Sequence, residues 1–437
     1  ARPNVAYEFE HKGHFAKERG HYRTFHDVDG ALAPIPVAAH CKRADTGPFT
    51  SYDVDGRRVS FLGDTHPVFH GSVVKAIASG LRTYPKIVAA LGAKATGRGA
   101  HEEYLGFRAR MQDLLQPRVV RVTRHNTSVV ELTVHAPLAA RRFRPGQFFR
   151  LQNLETQAPL VDGTRLQTES LALTGAKVDV EAGTVSLIVV ELGASSRLVA
   201  TLQPGEPVAL MGPTGVRTTI PAGGETVMVV GGRRGAAHIR AVGPALRAKG
   251  NRVLYVAGFP SADEVFCQDD LEAAADAILW VTERGTPVTP RRPQDRALTA
   301  PLLEAIRRYA DDRPPIALPD VDRLLVIGSN RLVRLMRDAR RAELRDYLVK
   351  NPHTVASISA PMQCCLKGVC SQCLQWQIDP ANGQRTKAVF ACSWQDQPLD
   401  IVDLDNLDER LSQNRVQEHI TNQWLEYLLA KHPLARV

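Results

Sequence analysis

Five of the chain's seven cysteines lie between positions 364 and 392, and their spacing limits what this region can fold into. Cys365, Cys370 and Cys373 follow a C-x4-C-x2-C pattern, and Cys392 comes nineteen positions later. A secreted domain held together by disulfides would distribute its cysteines through a shorter chain. The cluster therefore predicts a loop whose thiolates bind a metal centre in a reducing compartment, and the expected location is the cytoplasm.

This spacing is typical of the plant-type [2Fe-2S] loop, in which a fourth cysteine arrives from a distant strand. Gly368 permits the dihedral angles that turn backbone amides toward sulfide, and Asn382-Gly383 predicts a hairpin that returns Cys392 to the loop. A structural zinc site and a redox dithiol are the alternatives, although zinc sites more often show paired C-x2-C knuckles. Cys364 is either a neighbour of the site or the ligand in place of Cys365.

The composition is that of a globular protein, since 44% of the 437 residues are hydrophobic and 23% are charged. The sequence has no apolar run of the ~20 residues that a membrane span requires, and its N-terminus lacks the apolar core of a signal peptide. Part of the net charge of +9 comes from residues 331–345, where Leu and Met recur at helical spacing beneath arginines. Such a stretch is typical of a solvated helix face, with an acidic protein partner as the second interpretation and nucleic acid as a weak third.

The pattern of apolar residues changes along the chain. Residues 116–221 consist of short β-branched runs divided by Gly, Pro and Asn, which predicts an antiparallel barrel. From about residue 225, apolar strands alternate with helical stretches, which predicts a parallel sheet covered by helices. Residues 101–115 are expected to form a connecting helix. Residues 415–431 are expected to form an amphipathic helix that docks on the rest of the protein, because Val416, Ile420, Trp424 and Leu428 recur at i, i+4 intervals.

The order of these blocks is similar to that of the ferredoxin-reductase-like electron-transfer subunits, which include those of dihydroorotate dehydrogenase and of NADH-dependent reduced ferredoxin:NADP oxidoreductase. The resemblance covers roughly residues 116–405 and rests on RPGQFF (144–149), the block 191–215 ending in GPTG, the VVGG turn before a helix, and the cysteine run. It implies that the barrel binds FAD, the sheet binds NAD(P)H and the cluster relays single electrons. A flavin suits a place between hydride and cluster because it accepts two electrons together and releases them singly.

Three motifs depart from the family pattern, and in one of them Ile327-Gly328-Ser329-Asn330 replaces the cysteine-glycine-proline turn that commonly flanks nicotinamide in the family. Where the family's flavin motif has an Arg that contacts the FAD pyrophosphate, this chain has Ser170, and Ser170 and Thr174 are the expected flavin contacts. The turn Gly231-Gly232-Arg233-Arg234-Gly235 opens a predicted helix, so Gly231, Gly232 and Gly235 are expected to let the backbone approach a nucleotide phosphate. A glycine turn of this kind also forms without a ligand. Arg233 and Arg234 are expected either to clamp phosphate or to fill the site.

Residues 3–10 and 59–87 resemble a different flavoprotein class, the glutamate synthase small-subunit group of the pyridine nucleotide-disulfide reductase fold. In that group a Gly-Asp pair that closes a strand binds the FAD ribityl chain, which implies that Gly63 and Asp64 contact FAD here. A capped loop without a ligand is the alternative. The piece corresponds to only the last third of that group's flavin domain. The sequence is therefore expected to be the later part of a longer polypeptide, or one chain of a split assembly whose partner completes the FAD site.

The expected fold class is multidomain α/β and β. The segments are the C-terminal piece of a disulfide-reductase-like FAD domain (1–97), a linker helix (98–115), an antiparallel β-barrel (116–222), a Rossmann-like parallel sheet (223–351), a [2Fe-2S] cysteine domain (352–405) and a docking helix (406–437). Cys41 and Cys267 stand alone and are expected to be buried apolar side chains.

Together the resemblances imply a flavin and iron-sulfur electron-transfer component of a multisubunit NAD(P)H-linked oxidoreductase. Both halves occur as separate subunits in the bifurcating NADH:ferredoxin:NADP transhydrogenase group. The expected cofactors are FAD, NAD(P)H and a [2Fe-2S] cluster, and the expected partners are other subunits, without nucleic acid. One alternative is a docking subunit that retains the cluster but has degenerate flavin and nucleotide sites. Another is a stand-alone reductase for a small substrate, which the absence of a substrate domain in the sequence disfavours.

Overall fold

The computed structural model of the chain describes residues 11–18, 21–36, 41–42, 46–92, 101–358, 368–432 and 434. The chain forms two compact units, Ala1–Phe107 and Arg108–Val437. Within the described ranges, no helix combines the length and the apolar character needed to cross a membrane. Cys364, Cys365 and residues 3–10, on which predictions were made, lie outside the described residues.

The first unit is built around a small antiparallel sheet. Its elements are β1 (Lys17–Glu18), β2 (His21–Tyr22), β3 (Phe25–Val28), β4 (Ala31–Pro34), β5 (Phe49–Val54), β6 (Arg57–Ser60) and α1 (Val73–Leu91). Strands pair in the order β4-β3-β5-β6, and β1 pairs separately with β2. Asp29-Gly30 and Asp55-Gly56 make the two tight connections, and all four residues have the positive φ angles that such hairpin turns require.

The interior of the first unit is aromatic, and His66 lies inside it. The ring centroids of Phe61 and Phe69 each lie 4.8 Å from that of His66, which is fully buried. The backbone N–H of Val68 donates to Nδ1 of His66 at 3.1 Å, and Nε2 of His66 lies 3.3 Å from the carbonyl oxygen of Gly47. Burial lowers the pKa of His66 to about 4. The imidazole is therefore neutral at physiological pH.

Acidification is expected to destabilise the first unit through His66. Because the pKa of His66 is lowered from 6.5 in the unfolded chain to about 4 in the folded one, its contribution is fully present above pH 6.5 and is lost as the pH falls toward 4. The full difference in the free energy of unfolding is about 3 kcal/mol. NMR titration of histidine Cε1 resonances, with His66→Gln to assign the signal, should give a midpoint near pH 4. A midpoint at the ordinary value for histidine would contradict the burial.

Helix α2 (His101–Leu115) carries the chain into the second unit and has no buried residue, as a connecting helix predicts. An antiparallel barrel follows. The elements of this region are β7 (Arg118–Arg124), β8 (Val129–His135), α3 (Pro137–Arg142), β9 (Phe148–Asn153), β10 (Leu160–Val161), β11 (Thr164–Arg165), β12 (Leu171–Asp179), β13 (Thr184–Val190), α4 (Ala194–Leu198) and β14 (Val208–Thr214). The six long strands pair in the order β14-β9-β12-β13-β8-β7, and a bridge between Arg118 and Pro207 joins the two edges. The predicted barrel is confirmed.

A sheet of seven strands forms the next layer. Its elements are β15 (Thr226–Gly231), α5 (Arg233–Ala248), β16 (Arg252–Phe259), α6 (Gln268–Ala274), β17 (Ala277–Thr282), β18 (Arg296–Thr299), α7 (Leu302–Asp311), β19 (Arg323–Ile327), α8 (Asn330–Ala339) and β20 (His353–Ser357). The strand order is β18-β17-β16-β15-β19-β20, and all pairs are parallel. Successive residues of β15 enter two different apolar cores, Met228 and Val230 in one and Val227 and Val229 in the other. The predicted sheet, buried on both faces, is confirmed.

The C-terminal segment adds a hairpin, a seventh strand and two helices. These are β21 (Leu374–Ile378), β22 (Arg385–Phe390), β23 (Asp396–Pro398), α9 (Leu404–Ser412) and α10 (Arg415–Lys431), and β23 pairs antiparallel with β20. The predicted hairpin is present, but its connection is longer than the two-residue turn that Asn382-Gly383 favours. The N–H of Asp379 donates to the carbonyl of Gln384 at 2.8 Å, and the Asp379 carboxylate accepts the N–H of Ala381 at 2.9 Å. These bonds stabilise the wider turn.

The basic stretch 331–345 has acidic partners within the chain itself. The guanidinium of Arg334 pairs with Asp405 at 2.9 Å and with Asp408 at 2.8 Å, while Arg340 and Arg341 both pair with Asp400. Part of the positive charge of this stretch is therefore neutralised by acidic side chains in and just before α9. This intramolecular pairing was not among the interpretations that the sequence offered.

Candidate functional site

A cavity of about 1210 Å³ lies in the second unit where the barrel, the parallel sheet, the cysteine segment and α10 meet. Its walls include residues 170–174 of the barrel, residues 192–196 before and within α4, and Arg234, Ala237 and His238 of α5. Ligand pockets usually measure about 300–1,000 Å³. The cavity therefore has room for a cofactor as large as a dinucleotide.

Ser170 and Thr174, the predicted flavin contacts, both line this cavity. The hydroxyl of Ser170 donates to Oε1 of Gln152 at 3.3 Å, and Nη2 of Arg150 donates to the same oxygen at 2.8 Å. A guanidinium on β9 is thus linked through one amide to the position where the family motif carries its Arg. In the sequence, Arg150 and Gln152 are visible only as two polar residues that alternate with apolar ones in a strand, and this pattern by itself does not indicate a binding site.

Arg165 also lines the cavity, but its guanidinium is anchored to the protein. Its Nη1 donates to the carbonyl oxygens of Glu155 at 3.1 Å and Ala158 at 3.3 Å. These bonds hold the side chain on the loop before β10. Arg165 therefore stabilises the rim of the cavity through its contacts with backbone.

Helix α10 closes one side of the cavity, so the prediction that it docks is confirmed. Leu425, Leu428 and Leu429 are buried in a cluster with α4 and β10. By contrast, Val416 is 68% and Ile420 58% exposed, although the sequence predicted both for the docking face. The buried residues lie toward the C-terminal end of the helix, where they pack on α4 and β10, whereas the earlier residue Asn422 meets α4 through a polar contact with Arg197.

The glycines of the turn before α5 serve the packing of strands and helix. A Cβ on Gly231 would lie 2.7 Å from the carbonyl oxygen of Ile327, and one on Gly232 would lie 2.6 Å from that of Gly258. Gly235 faces Ile327 as well, and a Cβ there would lie 3.3 Å from the same carbonyl oxygen. The two closest of these contacts require glycine with or without a bound nucleotide. The role of the three glycines in phosphate binding therefore stays a prediction.

The two arginines of this turn behave differently. Arg233 donates to the hydroxyl of Ser128 at 3.0 Å and lies 3.4 Å from Glu264, so it ties the barrel to the sheet. Arg234 lines the cavity, and within the described part of the chain it has no carboxylate within ion-pair distance. Burial, with a smaller effect of neighbouring Arg233, lowers the pKa of Arg234. An anionic group bound in the cavity would stabilise the buried charge of Arg234.

The described part of the cysteine segment has features of a thiolate-binding loop. The N–H of Gly368 donates to Sγ of Cys392 at 3.1 Å, and the N–H of Gln372 to Sγ of Cys370 at 3.5 Å. Gly368 and Ser371 have φ angles of 67° and 63°, which turn the backbone sharply around the sulfurs. Amides that point at sulfur favour its anionic form. Cys365 lies outside the described residues.

The cavity and the cysteine segment share a wall. Phe148 lines the cavity and packs with buried Cys373 and Cys392 in one apolar cluster. Gln372, the residue before Cys373, also lines the cavity. A group bound against this wall of the cavity would be separated from these sulfurs by the ring of Phe148.

In the first unit, Gly63 and Asp64 lie where the prediction placed them, in a short 3-10 turn between β6 and α1. Gly63 has a φ angle of +67°, and its N–H donates to Oγ of Ser79 on α1 at 2.7 Å. The turn is thus fixed to the helix, which begins after Ser72 as predicted. Contact of Gly63 and Asp64 with FAD stays a prediction.

Cys41 and Cys267 are half-buried, so the expectation that both are buried apolar side chains was wrong. Cys267 packs against one apolar core of the sheet and also contacts polar neighbours. Its Sγ lies 3.4 Å from Nε2 of His125, and His125 in turn lies 2.8 Å from a carboxylate oxygen of Glu131. His125 and Glu131 are close in sequence, but Cys267 is distant from both, so no local spacing pattern pointed to the three residues together.

No family model matches the sequence. Among curated proteins, uncharacterized protein RP006 of Rickettsia prowazekii (strain Madrid E) is 29% identical over 374 residues, which is 85% of this chain and 42% of that protein. The dihydroorotate dehydrogenase B (NAD(+)) electron transfer subunit of Bacillus cereus (strain 03BB102) is 28% identical over 154 residues, or 35% of this chain and 56% of the relative. The chain thus spans about half the length of the curated relatives it matches.

Among solved structures, a chain of the NADH-dependent reduced ferredoxin-NADP oxidoreductase has a TM-score of 0.56 and 20% identity, covering 71% of this chain and 97% of that one. The similarity shows the ferredoxin-reductase-like fold, with an antiparallel barrel beside a parallel sheet. Over those 154 residues the sequence is also similar to a dihydroorotate dehydrogenase electron transfer subunit. These findings confirm the coarser part of the predicted resemblance.

Proposed function

We propose that this chain is a flavin and iron-sulfur electron-transfer component of a multisubunit NAD(P)H-linked oxidoreductase. It relays electrons between a pyridine nucleotide, FAD and a [2Fe-2S] cluster to a partner subunit. The observation that carries the proposal is the shared wall between the large cavity and the cysteine segment, formed by Phe148 and Gln372. The names of the relatives, an electron transfer subunit among them, support the same role.

FAD fits the large cavity by size and by the chemistry of its walls. The barrel side offers the hydroxyls of Ser170 and Thr174, and the sheet side offers the cation Arg234. An arginine without an acidic partner among the described residues is suited to a pyrophosphate or phosphate oxygen. When bound, the flavin accepts an electron pair and releases electrons singly. The protein residues bind and orient it beside the cysteine segment.

Cys365, Cys370, Cys373 and Cys392 are the proposed ligands of the cluster. The sulfurs of the three described cysteines do not gather within 4.8 Å of one another, as thiolates around one zinc ion would. Two irons divide four thiolates into two pairs, so a cluster does not require that convergence. The amides donated to Cys370 and Cys392 support thiolates at these positions. Thiolate ligands need a reducing compartment, and the proposed one is the cytoplasm.

The first unit is proposed to contribute to a second FAD site, with Gly63 and Asp64 at its edge, completed by the flavin domain of a partner subunit or of a preceding segment. Its helix α1 carries a row of large apolar side chains that are each at least 49% exposed: Val73, Val74, Ile77, Leu81, Tyr84, Val88 and Leu91. Such a row is unusual on a solvent-facing helix and is suited to burial against another protein surface. Electron bifurcation needs flavins with distinct roles. A bifurcating role for this protein therefore depends on the proposed second FAD site.

The proposal is tested by cofactor content and reduction. Protein purified without oxygen is expected to carry two irons and at least one flavin per chain, and NADH or NADPH should produce the EPR signal of a reduced [2Fe-2S] cluster. Zinc in place of the two irons at the cysteine segment, with no flavin, would overturn the proposal. Two irons without flavin would favour a docking subunit that retains only the cluster, an alternative supported by Ser170 in place of Arg.

Arg234→Gln is expected to weaken binding of the phosphate-bearing cofactor in the cavity by roughly tenfold or more, because a charge-assisted hydrogen bond contributes about 1.5–3 kcal/mol. Equilibrium titration of flavin or nucleotide into the cofactor-depleted protein measures this change. Arg233→Gln is the matched control, since it removes the same charge one residue away from a side chain that points to Ser128 and Glu264. Equal losses of affinity in both variants would contradict a specific role for Arg234.

A further inference from the structure

Three side chains with different ligand atoms converge at the junction of barrel and sheet, away from the large cavity. His125 follows β7, Glu131 lies on β8, and Cys267 precedes α6. Within the described residues, these are the only three His, Cys, Asp or Glu side chains whose ligand atoms all lie within 4.8 Å of one another. Nε2 of His125 lies 2.8 Å from Oε2 of Glu131 and 3.4 Å from Sγ of Cys267, and Sγ lies 3.9 Å from the same Oε2.

These separations are close to those around a tetrahedral ion. Zinc binds imidazole nitrogen and carboxylate oxygen at about 2.0–2.2 Å and thiolate at about 2.3 Å, which places neighbouring ligand atoms about 3.5 Å apart. Only the nitrogen-oxygen pair must open, and a small rotation of either side chain achieves this. A Cys-His-Asp type of catalytic relay is less compatible, because Cys267 and Glu131 both approach the same nitrogen of His125.

The carboxylate is held in place by a second layer of charges. Oε1 of Glu131 accepts a hydrogen bond from Nη2 of Arg240 at 3.0 Å, which leaves Oε2 directed at His125 and Cys267. The guanidinium of Arg240 also pairs with Asp270, and Asp270 in turn lies 3.2 Å from Nζ of Lys177. Outer residues that orient a ligand in this way are typical of protein metal sites.

The cluster also opens onto a cavity of its own. His125 and Cys267 line a space of about 730 Å³ whose walls include Phe266, Val288 and Arg291. Three protein ligands with a fourth position facing a cavity are the arrangement of zinc sites that bind water or a further ligand. Burial raises the pKa of the Cys267 thiol to about 12, so this sulfur is not a ready nucleophile by itself.

We propose that His125, Glu131 and Cys267 bind one Zn²⁺ through Nε2, Oε2 and Sγ, with the fourth coordination position open to this cavity. Binding displaces the thiol proton to solvent and changes no oxidation state. Since its ligands come from both layers, the ion fixes the barrel to the sheet. The site is independent of the proposed flavin and cluster chemistry.

The test is zinc stoichiometry of the protein with its cysteine-segment metal in place, after dialysis against buffered Zn²⁺. Wild-type chain is expected to hold one more zinc than Cys267→Ser or His125→Gln, whereas Cys41→Ser, the other half-buried isolated cysteine, should equal wild type. Equal zinc in wild type and Cys267→Ser would overturn the proposal. Circular dichroism of the zinc-free variants checks that they fold.

A second measurement needs no variant. Iodoacetamide labelling of wild-type protein, read by peptide mass spectrometry, should slow about tenfold at Cys267 when free Zn²⁺ exceeds its Kd by about tenfold. Labelling of Cys41 should not change. Zinc-independent labelling of Cys267 would contradict binding even if the variants failed to fold.

Discussion

Cys373→Ala is expected to abolish the [2Fe-2S] EPR signal of the dithionite-reduced protein and to reduce bound iron from two per chain to a small fraction. Cys373 is 2% exposed and packs beside Cys392, so no solvent thiol or water has easy access to replace its sulfur. Alanine cannot coordinate iron, and a four-cysteine cluster that loses one thiolate loses one of the ligands that hold its irons. Iron analysis and EPR on matched samples measure the effect.

Cys41→Ala is the control for this experiment, because Cys41 lies in the first unit, outside the proposed ligand set. It should retain full iron and an unchanged spectrum. If Cys373→Ala also retained both, the cysteine segment would not bind a cluster through this residue. The electron-relay proposal would then lose its acceptor, even if flavin bound normally.

Phe148→Ala is expected to destabilise the second unit by about 3 kcal/mol, since truncation of a buried Phe removes apolar contacts and leaves a cavity. Phe148 is 5% exposed and separates the large cavity from Cys373 and Cys392. Its removal also opens the wall between the large cavity and the cysteine segment. Iron should therefore be lost to a chelator markedly faster than in wild type. Chemical denaturation measures the first effect, and the decay of cluster absorbance measures the second.

Phe143→Ala separates these two effects. Phe143 is 7% exposed in the barrel core, where its ring stacks on that of Phe149 with centroids 5.8 Å apart, and it belongs to a cluster without cysteines. A similar loss of stability is expected, with the rate of iron loss much closer to that of wild type. If both variants released iron at the same rate, general destabilisation, and not a wall at Phe148, would explain the result.

The docking of α10 illustrates what a pattern leaves open. The sequence predicted a helix over residues 415–431, and the structure has the same bounds. The i, i+4 stripe predicted Val416, Ile420, Trp424 and Leu428 as the docking face. Of these only Leu428 is buried, and Leu425 and Leu429 are buried beside it. Periodicity shows that a helix has an apolar side, but only the position of α4 decides how many of its turns find a surface to cover.

The sequence by itself determined the elements whose signals are local. Strand and helix alternation, the glycine turn before α5 and the cysteine spacing all depend on residues close together in the chain, so the barrel, the sheet and the candidate cluster segment followed from them. Adjacent Arg233 and Arg234 had no such signal to separate them. Arg233 contacts Ser128 and Glu264, whereas Arg234 lines the large cavity. Neighbouring side chains of a helix point in different directions, which explains the difference.

Tertiary structure alone decided the contacts between distant segments. It brought His125, Glu131 and Cys267 together from two different layers, and it placed Phe148 between the barrel cavity and the cysteines. The physical reason is that convergence of side chains depends on how layers pack, which is set by the summed burial of many residues and leaves no mark at any single spacing. A cysteine that looked isolated in the sequence thereby became one corner of a candidate metal site.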